Sequence, residues 1–428
     1  MAIKRRDFLK ISAASATIGA IASTLSGCAG SGTKSGQVVV VGGGYGGATT
    51  AKYIRLWSKG SVDVTLIERN PAFVSCPISN LVLAGEKQMA DITISYQGLR
   101  NHGVRVIQGE ALAIDAEKCS VKLSNGDIFN YDRLVISPGI DFIWNSVPGL
   151  TPALADSQTF HAWKAGPQTL ALRRQLEDMK DGGVFAICIP KSPYRCPPGP
   201  YERACLVAHY LKNKKPKSKV LILDANEEVQ SKKGLFMKAW ADHYKGMISY
   251  LPNQGITGID GASKTVSFEF ADTVKADVLN ILPAQMAGDI ARQAGLITAN
   301  NRWCGIDWRT MESVAQKNIH VLGDSTLSAA AMPKSAHMAT QHAKIAAAAI
   351  VSLMTGELPA DPMQIANTCY SFIDSRNAVH VASVHAYDAK DKTYKTVAGS
   401  GGLSTAASEI EGEYAMEWAR NIWADSFT

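Results

Sequence analysis

Short runs of consecutive apolar residues punctuate this chain. Gln37-Val38-Val39-Val40-Val41 is the first, and the segments 62–68, 131–136, 183–190, 219–224 and 317–322 follow it. A strand with few polar interruptions is the mark of a sheet buried on both faces, which means parallel strands with helices packed on each side. The segment 48–57, between the first two runs, reads as such a helix, and His337 to Leu353 as a longer, Ala-rich one. Past Gly356-Glu357-Leu358-Pro359 the pattern changes: 378–384 reads as a strand, and Tyr414, Trp418, Ile422 and Trp423 recur at helical spacing. These elements predict an α/β chain with parallel sheets and a C-terminal α+β segment.

Composition narrows the field without naming a function. At about 100–200 residues per domain, 428 residues imply two or three domains. Eleven Phe, thirteen Tyr and eight Trp supply ample cores and exclude a disordered protein. No apolar run is long enough to cross a bilayer, so a polytopic membrane protein is excluded. Of the net charge of +6, half sits in the first 27 residues, where four basic side chains face one acid; the remainder is too mild to argue for nucleic acid. Eight cysteines without a C-x-x-C pair make neither a disulfide scaffold nor a zinc site, and without C-x-x-C-H the chain attaches no c-type haem. His337 and His342 lie five apart, not the three or four that share a helix face, so no metal site is expected there.

The leader has a pattern of its own. Lys4-Arg5-Arg6-Asp7-Phe8-Leu9-Lys10, followed by a weakly apolar stretch to Leu25, resembles a twin-arginine signal, which exports proteins already folded. Leu25-Ser26-Gly27-Cys28 resembles a lipobox that would leave Cys28 as the lipid-attachment residue, with ordinary signal cleavage as the alternative. Ala29 to Gly36 reads as a flexible tether. The expected location is the periplasm, with a possible membrane anchor through Cys28, and there oxidising conditions permit cysteine pairing.

The first strand runs straight into Gly42-Gly43-Gly44-Tyr45-Gly46-Gly47. The spacing puts Gly42 at a tight turn, Gly44 where backbone must approach a pyrophosphate, and Gly47 where helix packs on strand. Glu68, at the end of the second strand, is placed to accept from an adenosine ribose; an acid there favours an unphosphorylated ribose, as in FAD or NAD. FAD is favoured by 317–324, a short strand ending in Gly323-Asp324, which looks like the second flavin motif of two-dinucleotide-domain flavoproteins, where the Asp holds the ribityl chain. Tyr131 to Gly139 resembles the strand and turn that leave the flavin domain in such enzymes. A second nucleotide-binding-like domain starts near residue 150, with strands at 183–190 and 219–224. Between them, Arg195-Cys196-Pro197-Pro198-Gly199-Pro200-Tyr201-Glu202-Arg203 lacks the free N–H groups of a phosphate cradle, because proline donates nothing and fixes φ. The second domain keeps the architecture and gives up the nicotinamide ligand.

That Arg-Cys-Pro-Pro-Gly-Pro-Tyr-Glu-Arg string is distinctive, as are Ser75-Cys76-Pro77-Ile78-Ser79-Asn80, Ala162-Trp163-Lys164-Ala165-Gly166 and Asn367-Thr368-Cys369-Tyr370-Ser371. With them the chain, from about Gln37 to its C-terminus, resembles the flavoprotein subunit of flavocytochrome c sulfide dehydrogenase. The resemblance implies a glutathione-reductase-like fold of two Rossmann-like dinucleotide-binding domains and a C-terminal α+β interface domain. The plan is a signal over 1–30, an FAD-binding domain in two parts (36–148 and 296–356), a degenerate second nucleotide-binding domain over 149–295, and the interface domain over 357–428. It further implies oxidation of sulfide, or a related reduced sulfur compound, at FAD, and a separate c-type cytochrome subunit as partner and acceptor.

The resemblance also assigns residues. Cys76 matches a cysteine bonded to the flavin 8α-methyl; it lies eight residues past Glu68, a reach of at most about 27 Å. Cys196 matches a sulfur-handling cysteine that pairs, in the family, with one just after Gly-Asp. Here Thr326 stands at that place and cannot form a disulfide, so the pairing needs another cysteine. Cys205 is the sequence-local candidate, expected on the following helix, and the Cα atoms must come within roughly 7 Å. Cys304 and Cys369 read as structural, Cys119 and Cys188 as strand-core residues. Lys334, just before the long helix, is expected with that helix's N-terminus to stabilise an anionic reduced flavin. Two other readings stay open: a sulfide:quinone oxidoreductase, close in fold, and a non-catalytic electron-transfer or redox-chaperone flavoprotein, which the loss of a cysteine at position 326 favours.

Overall fold

The computed structural model describes residues 35–428, so the twin-arginine segment and Cys28 lie outside the described residues. Along the chain, β1 (Gln37–Val41), α1 (Tyr45–Trp57), β2 (Asp63–Glu68), β3 (Arg105–Gln108) and β4 (Arg133–Ile136) come first. There follow β5 (Val184–Ile189), α2 (Gly199–Lys214), β6 (Lys219–Asp224), β7 (Ile248–Leu251) and β8 (Val278–Ile281). The chain then returns with β9 (Ile319–Val321) and α3 (Ala336–Thr355), and ends in β10 (Ile365–Phe372), β11 (Ala378–Asp388), β12 (Thr393–Thr396), β13 (Gly402–Leu403) and α4 (Glu409–Phe427).

Two parallel sheets carry the fold. The first has the order β9-β4-β1-β2-β3, the second β7-β6-β5-β8. Both are buried on both faces at their centres: Val38, Val40, Leu66, Val135, Ile187 and Ile222 are sealed from solvent. This is why their strands read as apolar runs instead of alternating ones. The expected α/β class with two dinucleotide-type halves is the observed one. Residues 35–428 form one compact unit.

The third layer is antiparallel, β10-β11-β12 with β13 on β11. Against it and against α1 packs α4, whose tail reaches back to the beginning of the fold. Lys52 donates to the carbonyls of Ala424 and Asp425 at 3.0 Å each, Tyr53 donates to Asp425 at 2.5 Å, and Thr49 to Ser426 at 2.9 Å. Phe427 is fully buried and stacks on Phe73, with ring centroids 4.6 Å apart. Gly98 lies against this last turn because a Cβ there would stand 2.0 Å from the Phe427 carbonyl oxygen.

Two local expectations differ. Helix α1 begins at Tyr45, three residues earlier than 48–57 implies, so Gly46 and Gly47 lie inside its first turn. Cys119 is in a turn, half-buried with φ of 49°, not in a strand core. The Asp115 carboxylate fixes that turn by accepting from the Lys118 N–H at 2.9 Å. Cys188 sits in β5 and is fully buried, its thiol pushed up to about 12 by burial.

Candidate active site

A cavity of about 710 Å³ runs from the N-terminus of α1, past the ends of β1 and β2, to the loops before α2 and α3. Its first wall is the glycine turn. Gly42 has φ of +100°, and a Cβ there would meet the Ser137 carbonyl oxygen at 2.3 Å; at Gly47 it would meet the Gly42 carbonyl oxygen at 1.8 Å. Gly44 caps α1 and has nothing within 4 Å of where a Cβ would point, so the helix N-terminus opens onto empty space. Glu68 anchors this wall, accepting from Gly43 N at 2.7 Å and from Asn70 N and Nδ2 at 2.9 and 2.7 Å.

The far wall carries Gly323 and Asp324. Asp324 Oδ1 is buried without a hydrogen-bond partner, and its Oδ2 lies 3.8 Å from Arg195 Nη1. A buried carboxylate oxygen left unpaired costs free energy of order 1–3 kcal/mol unless a ligand supplies the donor. An open helix N-terminus at one end and an orphaned acceptor at the other fit an extended dinucleotide. The pyrophosphate belongs on the N-terminus and a ribityl hydroxyl on Asp324. These residues fit FAD.

Between the two walls lies Cys76. Its sulfur accepts from Arg195 Nη2 at 3.1 Å and from Ala165 N at 3.4 Å. Arg195 also donates to the Trp163 carbonyl, and its own N–H to Gln285 at 2.9 Å.

Cys196 follows directly, held in the left-handed region (φ 54°) by its N–H donating to the Lys334 carbonyl at 2.8 Å. Gly199 is required beneath it, since a Cβ there would stand 2.7 Å from Trp163 and 3.0 Å from Cys196 Sγ. The partner of Cys196 is Cys369, from β10: the two thiols line both cavities together and each shifts the other's proton affinity. This corrects the structural reading of Cys369 and supplies the sulfur that Thr326 lacks. Cys205 is not the partner; it lies in α2, fully buried, accepting from Trp240 Nε1 at 3.3 Å. Thr326 bridges instead to Cys304, also fully buried.

The environment makes the two thiols unequal. The neighbouring Cys196 thiol, aided by the buried Lys232 ammonium and against the effect of burial and Glu202, brings the Cys369 thiol down to about 7. Cys196 is pushed well up by the neighbouring Cys369 and by burial. Lys232 Nζ donates to the Cys369 carbonyl at 2.7 Å, to Ser371 Oγ at 2.8 Å and to the Val379 carbonyl at 3.4 Å, so it clamps both strands of the C-terminal sheet. Glu202 accepts from Asn80 Nδ2 and Phe372 N, both at 2.9 Å, and burial raises its carboxyl above the usual range. Sequence reasoning missed Lys232, Glu202 and Arg195 as site residues. Glu202 and Arg195 flank Cys196 in the string already singled out; Lys232 gives no local signal. A second cavity, of about 300 Å³, borders the same two cysteines on another side, with Met332, Gln230 and Ser383 in its walls.

Lys334 lines the main cavity but its ammonium is committed: it donates to the Asp324 carbonyl at 3.0 Å and to the Thr326 carbonyl, and lies 3.8 Å from the centroid of the Trp303 ring. Burial lowers it to about 8. In the second domain, the acid at the end of β6, Asp224, is fully buried and saturated by the protein itself. Its oxygens accept from Tyr201 Oη at 2.6 Å, Tyr250 Oη at 3.2 Å, Asn226 N at 2.9 Å and Asn226 Nδ2 at 2.7 Å.

Fold and cavity together define a flavoprotein oxidoreductase of the two-dinucleotide-domain class. Residues 36–180 match the pyridine nucleotide-disulphide oxidoreductase family, residues 169–283 the central part of the sulfide dehydrogenase [flavocytochrome c] flavoprotein chain, and residues 361–427 the flavocytochrome c sulphide dehydrogenase flavin-binding segment. The chain is 61% identical over 51 residues, 12% of its own length, to a sulfide dehydrogenase [flavocytochrome c] flavoprotein chain of Chlorobaculum thiosulfatiphilum, covering all of that sequence. The protein belongs to the flavocytochrome c sulfide dehydrogenase flavoprotein family. It is also 23% identical over 301 residues to the mitochondrial sulfide:quinone oxidoreductase of Dictyostelium discoideum, a match covering 68% of this chain and 65% of that one. Among solved structures, the sulfide:quinone oxidoreductase of Aquifex aeolicus superposes with a TM-score of 0.72 over 91% of each chain, at 19% identity.

Proposed function

We propose that this chain is the flavoprotein of an exported sulfide dehydrogenase, oxidising sulfide or a related reduced sulfur compound and passing the electrons to a c-type cytochrome subunit. The observation that carries the reading is the Cys196–Cys369 thiol pair in the wall of a cavity that fits FAD. Bound FAD supplies a carrier that takes two electrons together and releases them one at a time. The chain's own residues handle the sulfur. With the pair oxidised to a disulfide, hydrosulfide attacks one sulfur and the other leaves as thiolate. The better leaving group is the thiol of lower pKa, so Cys369 departs and Cys196 keeps the persulfide. Lys232 stabilises the departing charge, and Arg195 and Glu202 close the chamber around it. Self-saturation of Asp224 supports a donor other than NADH.

Covalent attachment of FAD through Cys76, export by the twin-arginine route and lipid on Cys28 belong to the same proposal, supported by the cysteine's position in the cavity wall and by the leader sequence. Quinone is the competing acceptor, favoured by the likeness to sulfide:quinone oxidoreductases along 301 residues. The deciding experiment mixes the purified protein with sulfide anaerobically and then with cytochrome c or a soluble quinone. Bleaching of the flavin band followed by cytochrome reduction is expected. Preference for quinone moves the acceptor, and a flavin that sulfide leaves oxidised overturns the reading. Replacing Arg5 and Arg6 by Lys is expected to hold the precursor in the cytoplasm, checked by cell fractionation.

A further inference from the structure

Cys76 is served by two N–H donors, one of them from a guanidinium. A guanidinium N–H at 3.1 Å and a backbone N–H at 3.4 Å both point at its sulfur, which itself donates to the Trp163 carbonyl at 3.7 Å. Converging N–H donors stabilise negative charge that develops on a sulfur when it attacks, and the Trp163 carbonyl stands by its proton. The other cations on the cavity wall are occupied: Lys164 Nζ donates to Asp141 Oδ1 at 2.9 Å, and Lys334 is bound to two carbonyls. Arg195 has holds besides the sulfur: its Nη2 also donates to the Trp163 carbonyl, its Nη1 lies 3.8 Å from Asp324 Oδ2, and its backbone N–H donates to Gln285.

We propose that Arg195, with Ala165 N–H, is the catalytic device by which this chain attaches FAD to its own Cys76. The inference rests on the reading that Cys76 carries the flavin, and assigns the residue that makes the bond form. In the reaction the Cys76 S–H bond and one C–H bond of the flavin 8α-methyl break, and a C–S bond forms. The two electrons and two protons released reduce the flavin ring, which a one-electron haem acceptor or dioxygen then reoxidises. The role of Arg195 is to hold the sulfur toward the cavity and to offset the negative charge that develops on it as its proton leaves, until the C–S bond is made. The same residue precedes Cys196 in the chain, so one short loop serves both the tether and the sulfur chemistry.

The test follows attachment, not turnover. Full-length wild type, Arg195→Gln, Arg195→Lys and Cys76→Ser are supplied with excess FAD in air. Samples are precipitated with acid over time, and flavin is measured in pellet and supernatant, with the Cys76 peptide weighed by mass spectrometry. Wild type is expected to carry its flavin into the pellet. Arg195→Gln is expected to attach it about a hundredfold more slowly, the scale of losing one preorganised donor, and Arg195→Lys to recover part of the rate, since lysine keeps the charge without the fork. Non-covalent FAD binding must be equal in Cys76→Ser and in the double variant Cys76→Ser/Arg195→Gln. Attachment by Arg195→Gln at the wild-type rate overturns the assignment. So does loss of FAD from the double variant alone, which makes Arg195 a binding residue. Wild type whose Cys76 peptide has its unmodified mass refutes instead the tether reading on which the assignment rests.

Discussion

Cys369 shows how far a residue's role depends on what stands beside it. In sequence it is one cysteine in a β-strand; in the fold it stands beside Cys196 and near the buried Lys232, and its thiol is brought to about 7. The sign of the pH effect follows: thiolate accumulates as pH rises through about 7, and below that value the thiol dominates. Alkylation of Cys369 by iodoacetamide in the reduced protein is therefore expected to climb through neutrality and level off near pH 8, read by peptide mass spectrometry. Lys232→Met is expected to move that midpoint upward, since a stabilising cation is lost. None of this was legible locally. Cys196 precedes α2 and Cys369 lies in β10, no spacing rule links them, and the expectation of a partner next to Asp324 looked in the wrong place. Glu68 and Asp324 were legible because each ends a strand whose type and sequel the sequence displays.

At the scale of elements, the glycine turn between β1 and α1 is the most constrained piece of the fold. The obstacle at Gly47 is the Gly42 carbonyl oxygen, a backbone atom that cannot swing away as a side chain does. Gly47→Ala is expected to cost roughly 3 kcal/mol or more, measured by urea unfolding, and to lose FAD, read from the absorbance of the purified protein. The α4 clasp makes an independent prediction. Phe427 is fully buried against Phe73 and Tyr45, so Phe427→Ala is expected to cost about 3–5 kcal/mol in the same assay. The parallel strands were readable as elements because burial on both faces makes them apolar throughout. Helix α1 began earlier than expected because glycine has low helix propensity, and close packing at Gly47 overrides it. Cys119 misled as a strand residue because an Asp side chain bends the backbone there into a turn.

Taken whole, the molecule has two nucleotide-type halves and one open nucleotide site among the described residues. Tyr201, Tyr250 and Asn226 fill the acceptor positions of Asp224, so millimolar NADH is expected to leave the flavin oxidised under anaerobic conditions where sulfide bleaches it, followed in one cuvette by absorbance. The prolines before α2 announced this in sequence; the tyrosine plug did not, since it needs β6, β7 and α2 assembled. The clasp of α4 on α1 bears on how the protein is made. Trp418 and Ala415 of α4 line the main cavity, and the final residues hold α1 through Lys52, Tyr53 and Thr49. The cavity opened by the glycine turn thus acquires its last panel only once α4 has been made and has closed on α1. A prosthetic group seated there is on this account sealed in by the element made after all the others described, so its loading waits on α4.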